Sequence, residues 1–178
     1  MKERLKLDKF FVETKRFYLR CLNVSDVSDR YLGWMNDKET MRYIVSGSLT
    51  HTLDSLNKYV ESKSLKSDCL FLGVFEKNSD LHIGNIKYEP IDFKNKNAVM
   101  GVLVGEKSWR GKKVFTEILN ASSDWLNVNL SITEIILGVD LKNINAIKAY
   151  EKTGFVMNYN NESSSRTIEN SMSFTISK

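Results

Sequence analysis

The stretch 98–155 restricts the fold more than any other, because it reads as strand, glycine turn, helix, strand and helix in unbroken succession. Ala98 to Val104 (AVMGVLV) is apolar enough for a buried strand, and Gly105 to Lys113 (GEKSWRGKK) sets four cations against one carboxylate around two glycines. From Val114 to Asn127 the residues Val114, Phe115, Ile118, Leu119, Trp125 and Leu126 recur at three- and four-residue spacing, which predicts a helix with one buried stripe. That helix starts at the glycine turn. Its first N–H groups lack partners within the helix and lie at the positive end of the helix dipole, so an anion fits there. Lys107, Arg110, Lys112 and Lys113 also read as a merely solvated loop, but cations gathered round a glycine at a helix start favour the anion. Glu134 to Val139 (EIILGV) is a short apolar run suited to a strand buried on both faces, so strand, helix and strand predict a parallel crossover. Asn143 or Asn145 caps the next helix, and Gly154 ends it.

Within this stretch, Asn143 to Phe155 (NINAIKAYEKTGF) fits the pattern N-x-x-A-x-x-x-Y-x-x-x-G-F, and Ser108 to Lys113 (SWRGKK) fits Gln/Arg-x-x-Gly-x-Gly/Ala in part. Both motifs resemble those of the GCN5-related N-acetyltransferase (GNAT) family. Ser108 stands where the family usually has Gln or Arg, and Lys113 where it has Gly or Ala. Near the N-terminus, FVETKRFYLRCL resembles the E-T-x-R-L-x-L-R-x-L opening of the family's ribosomal-protein and sugar branches. The resemblance thus runs from about Phe11 to the end of the chain. It implies a mixed α/β fold: one six- to seven-stranded sheet flanked by helices, splayed between the family's fourth and fifth strands. A polar extension over 1–10 would precede a single domain over 11–178.

Length and composition agree with one domain, since 178 residues with 42% hydrophobic content can bury a real core. A net charge of +4 is mild, and the cations concentrate in one loop instead of along a face interleaved with aromatics, which argues against nucleic acid. Cys21 and Cys69 form no C-x-x-C pair and read as reduced core residues of a cytosolic protein. Met1 to Lys9 is charged and has no apolar core for a signal peptide, and no window reaches the length of a membrane span. The sequence is read as a cytoplasmic protein with no membrane partner; whether it acts alone or as a homodimer stays open.

The rest of the chain completes a sheet. Phe11 to Leu22 reads as a first strand, and Ser25 or Asp26 as the cap of a helix holding Tyr31, Leu32, Trp34 and Met35. Asn36-Asp37 breaks it before a second turn from Lys38 to Tyr43. After the Ser46-Gly47-Ser48 loop, Thr52 caps a helix over Leu53 to Lys63 with Leu56, Tyr59 and Val60 inside. Cys69 to Glu76 and His82 to Glu89 pair through the turn Lys77 to Asp80, and Pro90 ends the second strand. Phe155 to Asn158, a polar turn over Asn160 to Arg166, and Thr167 to Ser177 close the sheet.

Acetyl-coenzyme A (acetyl-CoA) is the cosubstrate that the resemblance implies, with no metal. Its pyrophosphate would meet Trp109, Arg110, Gly111, Lys112, Lys113 and Val114, and its pantetheine the strand edge at Met100, Val102 and Val104, where Gly101 permits close approach or a bulge. Asn143 and Tyr150 lie two helical turns apart on one face, beside Asn145. In the family the matching Asn touches the cofactor and the matching Tyr protonates the leaving thiolate; alone, the two residues read as a cap and a packing ring. The base is harder to place, because the strand that often carries a Glu begins Ala98-Val99-Met100. Glu89 is the first candidate, followed by Asp92, His51 and His82. Acceptor contacts would come from Trp34, Arg42, Tyr43 and His51, with Lys38 nearby, although each bulky residue also reads as core packing. The expected activity is acetyl transfer to a primary amine of a small molecule, most readily an amino sugar on a nucleotide carrier. The alternatives are a ribosomal-protein-type N-terminal acetyltransferase and a non-catalytic acyl-CoA-binding module.

Overall fold

The computed structural model describes Leu7 and residues 10–44, 50–158 and 170–176. The Ser46-Gly47-Ser48 loop, the turn over 160–166, residues 167–169 and 177 of the last expected strand, and most of the N-terminal extension lie outside the described residues.

Phe11 to Leu22 is not one strand but two, β1 (Phe11–Glu13) and β2 (Phe17–Cys21), paired antiparallel. The break is fixed by a residue far along the chain. The Thr14 hydroxyl accepts from Phe17 N, while Glu117 takes the Thr14 hydroxyl at 2.6 Å, Arg16 N at 2.9 Å and Arg16 Nε at 2.7 Å. Asn23 then caps a 3₁₀ turn over Val24–Asp26, and Ser28, not Ser25 or Asp26, caps α1 (Asp29–Asn36). Asp37 caps α2 (Lys38–Met41), and Thr52 closes a capping box at α3 (Leu53–Ser64). Leu56 and Val60 are buried as expected, but Tyr59 is 36% exposed and lies edge-on to Phe71.

β3 (Leu70–Glu76) and β4 (His82–Asp92) form the expected hairpin. Pro90 does not end β4. The strand runs through it, and the register with β5 (Asn97–Val104) shifts between Tyr88 and Ile91, so the proline sits in a bulge that asks no ladder N–H of it. β5 leads into α4 (Val114–Leu130), then β6 (Glu134–Gly138), α5 (Ile144–Lys152), β7 (Val156–Met157) and β8 (Ser171–Thr175). Of the two candidate caps of α5, Asn143 is the one used, accepting from Ala146 N, and Gly154 follows the helix at φ +97°.

The described strands make one eight-stranded sheet in the order β1-β2-β3-β4-β5-β6-β8-β7, one more than the six or seven expected because the first divides. Strand alternation sorts the core onto two faces. Leu72, Val74, Ile86, Tyr88, Ala98 and Met100 pack with Val114, Ile118, Leu119 and Leu126 of α4, and Tyr88 shares a 2.7 Å hydrogen bond with Ser122. On the opposite face Leu22, Tyr31, Trp34, Leu56 and Val60 pack with Phe71 and Leu103. α4 and α5 therefore cover one face, and α1 and α3 the other.

Candidate active site

β5 is the hinge of the molecule. It pairs in parallel with β6 only from Asn97 to Val99, while β6 continues along β8 to Gly138 and β5 continues along β4 to Val104. A gap opens between them at Met100. The β5 rim from Met100 to Val104 thus carries backbone groups on a side that β6 has left, apart from Val104 O, which accepts from Arg110 Nε at 3.0 Å. The Met100, Val102 and Val104 side chains point to the α4 face.

The rim ends at the basic loop. Lys107–Trp109 form a 3₁₀ turn, and Trp109 packs edge-on to Phe17 with ring centroids 5.2 Å apart. Gly111 (φ +71°) and Lys113 (φ +57°) are left-handed, and α4 starts directly after them with no side chain capping its first turn. A Cβ at Gly111 would meet nothing within 4 Å, so backbone conformation and not space calls for glycine there. The same conformation at Lys113 explains why Gly suits that motif position. The loop's cations divide into two groups. Lys107 is paired with Asp37 and Glu39, and Arg110 Nη2 reaches Thr40 Oγ1 at 2.8 Å, so both tie the loop to α2. Gly111, Lys112 and Lys113 are exposed, with Lys112 Nζ 5.3 Å from the Trp109 ring centroid.

Tyr150 stands beside the start of α4, 5.1 Å from Phe115 and 5.8 Å from Phe155 between centroids. Burial pushes its phenol up from the ordinary value, so it stays protonated at neutral pH. Asn143 spends its side-chain oxygen on the α5 cap, and Asn145 is exposed on the first turn.

A family model described as an acetyltransferase (GNAT) domain matches residues 16–156. The chain belongs to the GNAT family. The ribosomal L7/L12 α-N-protein acetyltransferase RimL, solved with coenzyme A, is similar in structure with a TM-score of 0.79 at 15% identity, covering 94% of this chain and 98% of that one. Spermidine N-acetyltransferase from Vibrio cholerae, solved with coenzyme A and spermine, gives 0.75 at 19% identity over 89% and 95% of the two chains. A GNAT acetyltransferase from Bacillus anthracis gives 0.74 at 16% identity over 94% and 98%. At such identities the likeness is one of fold. No curated protein matches the sequence.

On the other face of this GNAT domain the expected acceptor residues separate. Trp34 is a packing residue, 7% exposed, with its ring over Gly105, where any Cβ would lie 2.1 Å from it. Arg42 is exposed and lies over Tyr43, 5.3 Å from the ring centroid. His51 exchanges backbone hydrogen bonds with the Asn36 side chain, and its Nε2 is buried with no partner among the described residues.

The candidate bases are mostly engaged. Glu89 resists protonation: burial pushes its carboxyl up, but Lys63, Lys66 and Lys87 outweigh this and hold it down at about 2. An ion so held is a poor general base. Asp92 organises the β4–β5 turn by accepting from Lys94 N and Asn95 N. His82 is buried among the rings of Tyr31, Trp34 and Phe75. Among the described residues no group of three or more His, Cys, Asp or Glu could hold a metal, and no helix is long and apolar enough to cross a membrane. What the sequence reading missed is the neighbourhood of Gly101, which is exposed on the rim with nothing within 4 Å of a Cβ and stands opposite Lys87 in the β4–β5 ladder, where Lys87 reaches the Tyr59 hydroxyl.

Proposed function

We propose that this domain transfers an acetyl group from acetyl-CoA to the primary amine of a small molecule, an amino sugar on a nucleotide carrier. The observation that carries the reading is the open β5 rim, Met100 to Val104, ending at the left-handed turn and the uncapped start of α4. Such a rim offers backbone hydrogen bonds to an extended pantetheine, and the turn offers N–H groups, helix dipole and the Lys112 and Lys113 charges to phosphates. The amine nitrogen attacks the thioester carbonyl carbon, the carbon–sulfur bond breaks, and the departing sulfur takes the Tyr150 phenolic proton, which solvent replaces. The amine's own proton leaves to water, since Glu89 is already neutralised by lysines.

Thiol release from acetyl-CoA, measured across amino sugar nucleotides, polyamines, aminoglycosides and ribosomal-protein peptides, tests this directly. The highest kcat/KM is expected with an amino sugar nucleotide; coenzyme binding without turnover of any acceptor would mark a binding module instead. Tyr150→Phe should lower kcat about 100-fold with coenzyme affinity unchanged. A Phe variant turning over at the parent rate, with chemistry rate-limiting, would return Tyr150 to packing.

A further inference from the structure

Three ammonium groups converge on one carboxylate at the bulged end of β4. Lys63 Nζ lies 2.9 Å from Glu89 Oε1 and 2.7 Å from Oε2, Lys66 Nζ 2.6 Å from Oε1, and Lys87 Nζ 2.9 Å from Oε2. Asp68 acts on Lys66 from alongside, so among the described residues two carboxylates face three cations. Solvent screens these charges incompletely, because the Lys63 and Glu89 side chains are only 15% and 10% exposed. Donor counting points the same way. An ammonium has three N–H groups. Lys63 uses two on the Glu89 oxygens, and Lys87 uses two, on Glu89 and on the Tyr59 hydroxyl at 2.9 Å. Among the described residues neither has a further hydrogen-bond acceptor, and both lie over the Tyr59 ring, 5.1 and 5.5 Å from its centroid, so each has a third N–H to give an acceptor atom from outside.

The cluster also lies where that donor counts. Lys87 is directly opposite Gly101 in the β4–β5 ladder, so both residues face α3. Gly101 is exposed on the open rim, and open space begins where its Cβ would be. A molecule reaching the rim from the α3 face crosses bare backbone beside Lys87. A polyamine would be repelled on that path, whereas a phosphate would be attracted.

We propose that Lys63 and Lys87, held in place by Glu89 and Tyr59, dock the diphosphate of the amine acceptor, roughly one sugar ring from the amine at the β5 rim. This rests on the reading that acceptor amines reach that rim. Glu89 is thereby a positioning residue: it holds the lysines together and leaves each a donor.

The test is calorimetric titration of inorganic pyrophosphate into the full chain saturated with coenzyme A, so that the loop before α4 is already filled. Pyrophosphate should bind, about tenfold more weakly in Lys63→Gln and Lys87→Gln, as expected for loss of a charge-assisted hydrogen bond. Lys87→Arg should restore most of the affinity, and exposed Lys94→Gln should change nothing; melting curves identify any variant that fails to fold. No binding, or equal affinity in every folded variant, would overturn the site. The thiol-release assay separates the two readings. Absence of any turnover counts against acetyl transfer and leaves the pyrophosphate titration to decide the lysines. Turnover of phosphate-bearing amines with the parental KM in Lys87→Gln would overturn the lysine site and leave acetyl transfer standing.

Discussion

The two sides of the β5 rim are built from different materials. On the α4 side the proposed site is backbone: the edge from Met100 to Val104 that β6 leaves, two left-handed residues at 111 and 113, and the first turn of a helix. On the α3 side it is side chains drawn from separate elements, with Tyr59 and Lys63 from α3, Lys87 and Glu89 from β4, and bare Gly101 from β5. A backbone site needs particular residues at fixed spacing along the chain. A side-chain site needs only that folding bring charges together, so its residues carry no common spacing. One half of a binding cleft can therefore be fixed by its fold while the other half is free to vary.

Trp34→Ala puts the largest load on this comparison. The ring is 7% exposed and fills the space between Gly105, Tyr31 and His82, so its removal should cost about 3–5 kcal/mol of stability by urea unfolding. Acceptor and coenzyme affinities should then decline together. A stable variant with only its acceptor KM raised would place Trp34 back on the acceptor side as a contact residue.

A pair of glycine variants sharpens the contrast at smaller cost. A Cβ added at Gly101 or at Gly111 would meet no atom within 4 Å, yet only Gly111 has positive φ. Gly111→Val should lose about 1–3 kcal/mol through backbone strain and weaken coenzyme binding with it. Gly101→Ala should leave stability and coenzyme affinity near parental and raise the acceptor KM, because its methyl group would stand in the path past Lys87. Equal responses to the two substitutions would erase the distinction between a backbone side and a side-chain side.

Legibility in the sequence followed the same division. The helix start at Val114, the cap at Asn143 and the turn at Gly154 follow from residue types whose backbone preferences act locally, and each is where the spacing predicts it. The division of the first strand was hidden, because its cause is Glu117, far along the chain on α4. Pro90 misled for a related reason: a bulge removed the demand for its N–H, and bulges are set by the partner strand. Glu89 reads as a base from its place in the chain alone. The three lysines that neutralise it come from α3, the residues after it and β4, and no local pattern joins them.

The smallest expected effect concerns His82, whose ring packs against Trp34 of α1 with centroids 5.0 Å apart. Its Nε2 is 3.1 Å from Gly84 O and 2.9 Å from Asn85 Oδ1, two acceptors, so Nε2 carries the proton in the neutral ring. Nδ1 is buried with no partner among the described residues. Protonation would create a second N–H there with nothing to accept it. Burial accordingly lowers the imidazole pKa below the ordinary value, against the opposing pull of Asn85 and Asp26. The unfolded chain then binds more protons than the folded one between the lowered value and about 6.5, so stability rises with pH across that window. It is fully present above about 6.5 and is lost as pH falls toward the folded-state value. The carboxylates held low, Glu89 and Asp37 at about 2, lose their contributions only in more acid solution, which keeps the windows apart. Urea midpoints of the parent and His82→Phe, taken from pH 8 to pH 5, should therefore diverge: the parent weakens below about 6.5, and the Phe variant, whose ring suits the Tyr31–Trp34–Phe75 surroundings, weakens less. Hydrogen exchange should show the acid loosening first around Trp34, with the start of α4 still protected. Identical pH slopes in the two proteins would mean that His82 is not held neutral, and that the α1 face is no more sensitive to acid than the α4 face.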